Sequence, residues 1–296
     1  MKKLLLPVLG YLALLTSCKE VPPEVNYLVP VVGAIDTAYV MSDSAFATIT
    51  LQPHNVLIED FTGQGCANCP PAHDIAQSII NGNPGRVNVM ALYITHFAQT
   101  IPPFGSVHDF RSDSATAIAN SVYGSVGSMP IGGIDRVSVA GSRLLDPTLW
   151  SGNATSRLTI SDSVNVNVVS SYNATTDTAT VVATVTYMQP MDGTQSLSVA
   201  VVEDSMYDYQ EDALKTDTGY LFTNVLRDML TPPASGISVA PTIAGTKVKK
   251  TVYIKSFLYK PTLRTPAVNP AHCRVIAFVT GADGSVLQSV QAKLKP

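Results

Sequence analysis

Across the second half of the chain, apolar and polar residues alternate with a period of two. The runs are VNVNV (164–168), TVVATVTY (180–187), SLSVAVVE (196–203), KTVYIKSFL (250–258), RVIAFVT (274–280) and SVLQSV (285–290). A period of two sends successive side chains to opposite faces of a half-buried strand. Asp192-Gly193 and Asp283-Gly284 lie between such runs as turn signals. Strands of this length with no long helix between them predict an antiparallel β-sandwich over residues 157–296. The stretch 204–245 (beginning DSMYDYQEDALKTDTGYLFTNVLRDML) breaks the alternation. It reads as a long insertion with one helical turn, packed at the sandwich edge or against the first domain.

Upstream the pattern is different. NVLIEDFT (55–62) is apolar and aromatic enough for a strand. In PAHDIAQSIING (71–82), Ala72, Ile75, Ala76, Ile79 and Ile80 fall at helical spacing, and Asn81-Gly82 closes the helix. RVNVMALYIT (86–95) is a near-continuous apolar run, as in a buried parallel strand. Strand, helix, strand in this order is a βαβ unit. A loop rich in Pro, Gly and aromatic residues follows (96–112), then a short helix over 113–124 capped by Ser112 or Asp113. SMPIGGIDR (128–136) reads as a strand opened by a proline. A helix capped by Asp146, with Pro147 in its first turn, would close this domain. The lone Trp150 is expected at the junction of the two domains.

The first residues change the picture of where the chain resides. MKKLLLPVLGYLALLTS has a basic start and an apolar run too short to span a bilayer, which is the form of a secretion signal. LTSC places Cys18 directly after it and resembles a bacterial lipobox, which implies that Cys18 carries lipid and becomes the mature N-terminus. Membrane attachment would then come from acyl chains on Cys18. The expected organisation is a signal peptide (1–17), a lipid anchor and tether (18–54), an α/β domain (55–156) and a β-sandwich (157–296). With 19 basic and 22 acidic residues, less Lys2 and Lys3 of the signal, the formal charge is about −5. A mildly acidic chain has no electrostatic footprint for nucleic acid. GSVGSMPIGG lacks the Lys and spacing of a phosphate-binding loop, and no GxSxG run is present. The expectation is therefore no cofactor.

The chemistry concentrates in EDFTGQGCANCPPAH (59–73). A CxxC at a helix start puts the first sulfur near unpaired amides and the positive end of the helix dipole, which favours its thiolate. Cys66 would attack, and Cys69, one turn later, would close the disulfide. After a strand and inside a βαβ unit, this spacing reads as thioredoxin-like. A structural staple is the second reading. Half of a metal site is the third, with His73 on the same helical face and His96 or His108 arriving from the loop; the leading reading assigns no metal. Cys273, in HCRVIAFV, reads as a buried apolar residue.

Asp60-Phe61 stand where thioredoxins carry a buried Asp followed by Phe, and the resemblance makes Asp60 the acid that takes a proton from the resolving thiol. SMPIGGIDR resembles the loop in which a cis-proline faces the disulfide, which makes Pro130 the candidate and Met129 the residue whose backbone would pair with a substrate strand. The lipobox, VLIEDFTGQGCANCPPAH, MPIGGIDR and YQEDAL…NVLRDML together resemble the thioredoxin-like outer-membrane lipoprotein family typified by the twenty-eight-kilodalton outer membrane protein. That resemblance implies a fold class of an α/β thioredoxin-like domain followed by an all-β immunoglobulin-like sandwich. Two departures stand out: Gly65 replaces the aromatic residue that precedes the nucleophile in thioredoxins, and Pro70-Pro71 follow the second cysteine. The expected partners are protein thiols or disulfides or, on the staple reading, an envelope protein or glycan bound by the sandwich.

Overall fold

The computed structural model describes residues 36–95, 97–213, 216–239, 251–261 and 267–296. The signal sequence, Cys18 and His96 therefore lie outside the described residues. In chain order the elements are β1 (Asp36–Val40), α1 (Asp43–Ala47), β2 (Val56–Phe61), α2 (Cys69–Gly82), β3 (Val87–Leu92), α3 (Asp113–Ile118), β4 (Ile131–Ile134) and α4 (Trp150–Arg157). They continue with β5 (Val164–Asn173), β6 (Thr178–Tyr187), β7 (Ser196–Glu203), β8 (Met206–Gln210), β9 (Asp217–Phe222), β10 (Val225–Met229), β11 (Ile237–Ser238), β12 (Thr251–Tyr259), β13 (Cys273–Thr280) and β14 (Val286–Lys293). Every element read from periodicity is present within a few residues of its expected bounds. Ser112 caps α3 by accepting from the Ala115 amide, and Asp146 accepts from Thr148 ahead of α4.

Strands from both sides of residue 157 share one eight-stranded sheet, ordered β14-β13-β7-β10-β3-β2-β4, with β11 paired to β7. β2 and β3 run parallel with Asp60 opposite Ala91, and β4 is antiparallel on the other side of β2. The link between the halves is β10, parallel to β3 through Val225 and Ala91 and antiparallel to β7. Of its two expected placements, the 204–245 stretch takes the one against the first domain, and none of its described residues is helical. It supplies the paired strands β8 and β9, then a central strand of the sheet.

Alternation explains what each face of this sheet buries. One face carries Leu57 and Phe61 of β2, Met90 and Leu92 of β3, Leu226, Ala200, Val202, Ile276 and Phe278, with Ile118 of α3 in the same cluster. On the other face, Val56, Ile58, Val87 and Val89 pack against Ala72, Ala76 and Ile79 of α2 and against Trp150. Farther along that face, odd-numbered residues of β7 and β13 pack on Val166, Val181, Ala183 and Val185 of a second, four-stranded sheet, β1-β12-β6-β5. Trp150 is fully buried in the α2 cluster, donating to the Leu145 carbonyl, instead of sitting at a junction. A Cβ on Gly132 would come within 2.6 Å of its ring, so the tryptophan takes the space that a side chain at 132 would need.

A buried ionic cluster ties the segment before β2 to later parts of the chain. His54 is 0% exposed and bonds Asp135 through Nε2 and Asp162 through Nδ1, both at 2.7 Å. Asp135 also accepts from Arg157 and from the Leu57 amide. Burial alone would lower the imidazole's pKa, but the hydrogen bonds to Asp135 and Asp162 outweigh it and push the value up to about 9. A histidine whose folded pKa is raised contributes stability fully below its unfolded pKa of about 6.5 and loses it as pH passes 9. Chemical denaturation should therefore show stability falling by about 2–3 kcal/mol between pH 6.5 and 9.5. In His54→Gln the fall should vanish, and the protein should be destabilised at pH 6.5 by about 3 kcal/mol, since Asp162 loses its cation and Asp135 keeps only Arg157.

Candidate functional site

The strand β2 delivers the chain into T62-G-Q-G-C, and α2 begins at Cys69 with prolines in its first turn. Those prolines lack amide protons where the helix has no partners for them. Cys66 and Cys69 form a disulfide. The Cys69 amide donates to the Cys66 carbonyl, so the pair sits in a tight turn at the helix start. Cys66 is 2% exposed and Cys69 0%. Both belong to the apolar cluster of Phe61, Leu92 and Met129.

Two segments close over this turn. Gly65 donates to the carbonyl of Gln99, and a Cβ on Gly63 would lie 2.0 Å from that same oxygen. From the far side comes β8. The Gln210 amide nitrogen donates to the carbonyls of Gly63 and Cys66, both at 3.1 Å, while Glu211 N donates to Gln64 O at 2.8 Å. Gln64 in turn reaches Asp208, which also accepts from the amides of Val107 and His108. Sequence reasoning missed Gln210, because nothing in the local pattern marks a glutamine some 144 residues away as the cover of the cysteine turn.

Asp60 is 1% exposed and lies on the α2 face of β2. Its Oδ1 has no hydrogen-bond partner, and Oδ2 is 3.7 Å from Nε2 of His73. Burial raises the carboxyl's pKa to about 8, so it is largely protonated at neutral pH. Its ionisable neighbour on α2 is His73. His73, the candidate metal ligand, instead bonds Thr62 through Nε2 and the Tyr220 hydroxyl of β9 through Nδ1. Burial lowers its pKa to about 4, which leaves it neutral. A cavity of about 30 Å³ lies among Asp60, His73, Tyr93 and Tyr220, room for a water or two.

Pro130 follows a cis peptide bond, and its neighbour Met129 is in the cluster that holds both cysteines. Cys273 is buried at 2% exposure, its thiol donates to the Asn269 carbonyl, and burial raises its pKa. Among the described residues no group of three or more His, Cys, Asp or Glu is placed to hold a metal ion. His73, occupied by Thr62 and Tyr220, is no free ligand beside the sulfurs.

Residues 117–296 match the model of the family described as outer membrane protein Omp28. The match covers more than half of the chain and begins beyond the cysteine pair. Among solved structures, the chain is similar to HBP35 of Porphyromonas gingivalis at 17% identity, covering 82% of this chain and 77% of that one, with a TM-score of 0.64. That likeness speaks for the fold alone. A protein from Agrobacterium tumefaciens aligns at 15% identity over 82% of this chain and 95% of its own, with a TM-score of 0.46. No curated protein sequence matches the chain.

Asp60 supplies a test of this electrostatic picture. An acid whose folded pKa is raised costs stability as pH climbs from its unfolded value near 4 to its folded value near 8. Asp60→Asn keeps the shape and removes the ionisation. It should abolish that decline and make the protein more stable at pH 8 by roughly 2–4 kcal/mol, with little change at pH 4, as read by urea unfolding at the two pH values.

Proposed function

The chain belongs to the outer membrane protein Omp28 family, an assignment to the cell envelope, and from that premise we propose that its amino-terminal half is thioredoxin-like and exchanges disulfides with extracytoplasmic proteins. The order β3-β2-β4, with a parallel pair around α2 and an antiparallel strand beyond, supports that fold. So does the CxxC turn at the start of α2. The carboxy-terminal half, two sheets packed face to face, we assign to an immunoglobulin-like sandwich.

The observation that carries the exchange reading is Asp60. A buried acid with an unpartnered oxygen costs stability and holds no structural hydrogen bond in return, and it stands on the strand that leads into the cysteine turn. In the exchange step, a partner's thiolate attacks Cys66 Sγ and the Cys66–Cys69 bond breaks. Cys69 leaves as a thiolate and takes a proton, with Asp60 as the acid of the site. A second thiol of the partner attacks the mixed disulfide and releases Cys66. The partner is oxidised to a disulfide and the pair reduced to a dithiol.

A second reading has its own observation. Both cysteines are buried in an apolar cluster, as a staple at the start of α2 would be, and the sandwich would then carry the binding of an envelope protein or glycan. Equilibration of the pair against glutathione, followed by thiol labelling and mass spectrometry with Cys66→Ser as control, separates the two. Exchange predicts a potential of roughly −120 to −270 mV, whereas a value below about −300 mV would make the disulfide a staple.

We place the protein on the membrane through acyl chains on Cys18. Cys18→Ser should move it from the membrane fraction of the cell envelope to the soluble fraction, read by immunoblot after fractionation.

A further inference from the structure

The arm formed by β8 and β9 joins neither large sheet; its two strands pair with each other. Its contacts with the cysteine turn are few and polar. Gln210 reaches the Gly63 and Cys66 carbonyls, Glu211 N reaches Gln64 O, Asp208 receives Gln64, and the Tyr220 hydroxyl bonds His73 on α2. At its base the arm is anchored by Met206 and Phe222, which pack with Phe110 and Val225. Both ends of the arm leave that base through a residue in the left-handed region, Ser205 at φ 59° and Asn224 at φ 59°. Left-handed non-glycine residues are uncommon, and here two bracket one hairpin. Gln210 is fully buried, yet its Oε1 has no hydrogen-bond partner, so lifting the arm gives that oxygen water and offsets part of the bonds it breaks.

The opposite cover has different character. Residues 98–101 approach the turn backbone to backbone, against Gly63 and Gly65, and Thr100 is tied to the Ile94 carbonyl at the end of β3. Of the two covers, this one is built into the domain and the arm is appended to it.

We propose that the β8–β9 arm is a lid on the Cys66–Cys69 disulfide, latched by Gln210 and Tyr220 and pivoting at Ser205 and Asn224. The closed form shields the sulfurs; the open form exposes Cys66 to a thiolate of a partner protein. The purpose of the lid rests on the exchange reading, but its existence does not. A water-soluble phosphine, tris(2-carboxyethyl)phosphine, drives reduction to completion whatever the couple's potential, so its rate reads access alone.

The test follows reduction by this phosphine in the full chain, by alkylation and mass spectrometry, for the wild type, Gln210→Ala and Tyr220→Phe. A lid predicts that the wild-type rate levels off as phosphine rises, because opening becomes limiting. At low phosphine, Gln210→Ala should react about tenfold faster and Tyr220→Phe a few-fold faster, with the thermal midpoint of Tyr220→Phe within a few degrees of wild type. Equal rates in all three proteins, linear in phosphine, would overturn the proposal. So would a wild-type rate that rises with urea as steeply as global unfolding does, since opening would then be loss of the whole fold. A potential below about −300 mV alongside gated reduction would remove the exchange reading and leave the lid in place.

Discussion

The position of β10 governs the rest of the molecule. Its first residue, Val225, pairs in parallel with Ala91 near the end of β3, and Ala91 N donates to the carbonyl of Asn224. Ala91 is itself opposite Asp60 near the end of β2. The chain entering β10 must therefore arrive at the edge where β2 hands over to the cysteine turn. The β8–β9 arm has to lie over that turn, because the two residues between Phe222 and Val225 leave it no other place to end. A single inserted strand thus joins the two halves into one sheet and brings Gln210 to Cys66.

The strands β2 and β4 are also held by charge. Glu59 bonds Arg136 through two oxygens and receives the Tyr123 hydroxyl, and Arg136 lies over the ring of Phe278. The His54, Asp135, Asp162 and Arg157 cluster sits nearby, through the adjacent Asp135. Buried pairs of this kind add little net stability over a well-packed apolar substitute, but they fix one arrangement, because losing one partner strands the other. Asp60 makes the contrast on the same strand. Its neighbour Glu59 has a guanidinium and a phenol, while Asp60 faces α2 with one neutral histidine at 3.7 Å.

Much of this was legible in the sequence where a local rule acts locally. The period-two runs became β5, β6, β7, β12, β13 and β14, and the spacing of Ala72, Ala76 and Ile79 placed the buried face of α2. The cysteine pair was located by position, and it is disulfide-bonded. What stayed hidden depends on partners far along the chain. β10 is short, and Arg227 and Asp228 interrupt its apolar residues; only its place between β3 and β7 makes it a strand. The role of His73 stayed hidden because its partners are Thr62 from β2's exit and Tyr220 from a segment that read as an insertion.

The departure at Gly65 and the burial of the disulfide are one fact seen twice. A Cβ at 65 would stand 2.9 Å from the Ile101 carbonyl, and one at 63 would collide with Gln99. The backbone of 98–101 can lie across the cysteine turn only if both positions lack side chains. An aromatic residue before Cys66, as in thioredoxins, would have to displace that segment, and the turn would then be open on that side. With glycine there, the segment closes down on that side of the turn, and Gln210 binds the Gly63 and Cys66 carbonyls from the other. Access is thereby moved from a fixed surface to the β8–β9 arm, whose attachment is a handful of hydrogen bonds instead of a shared sheet.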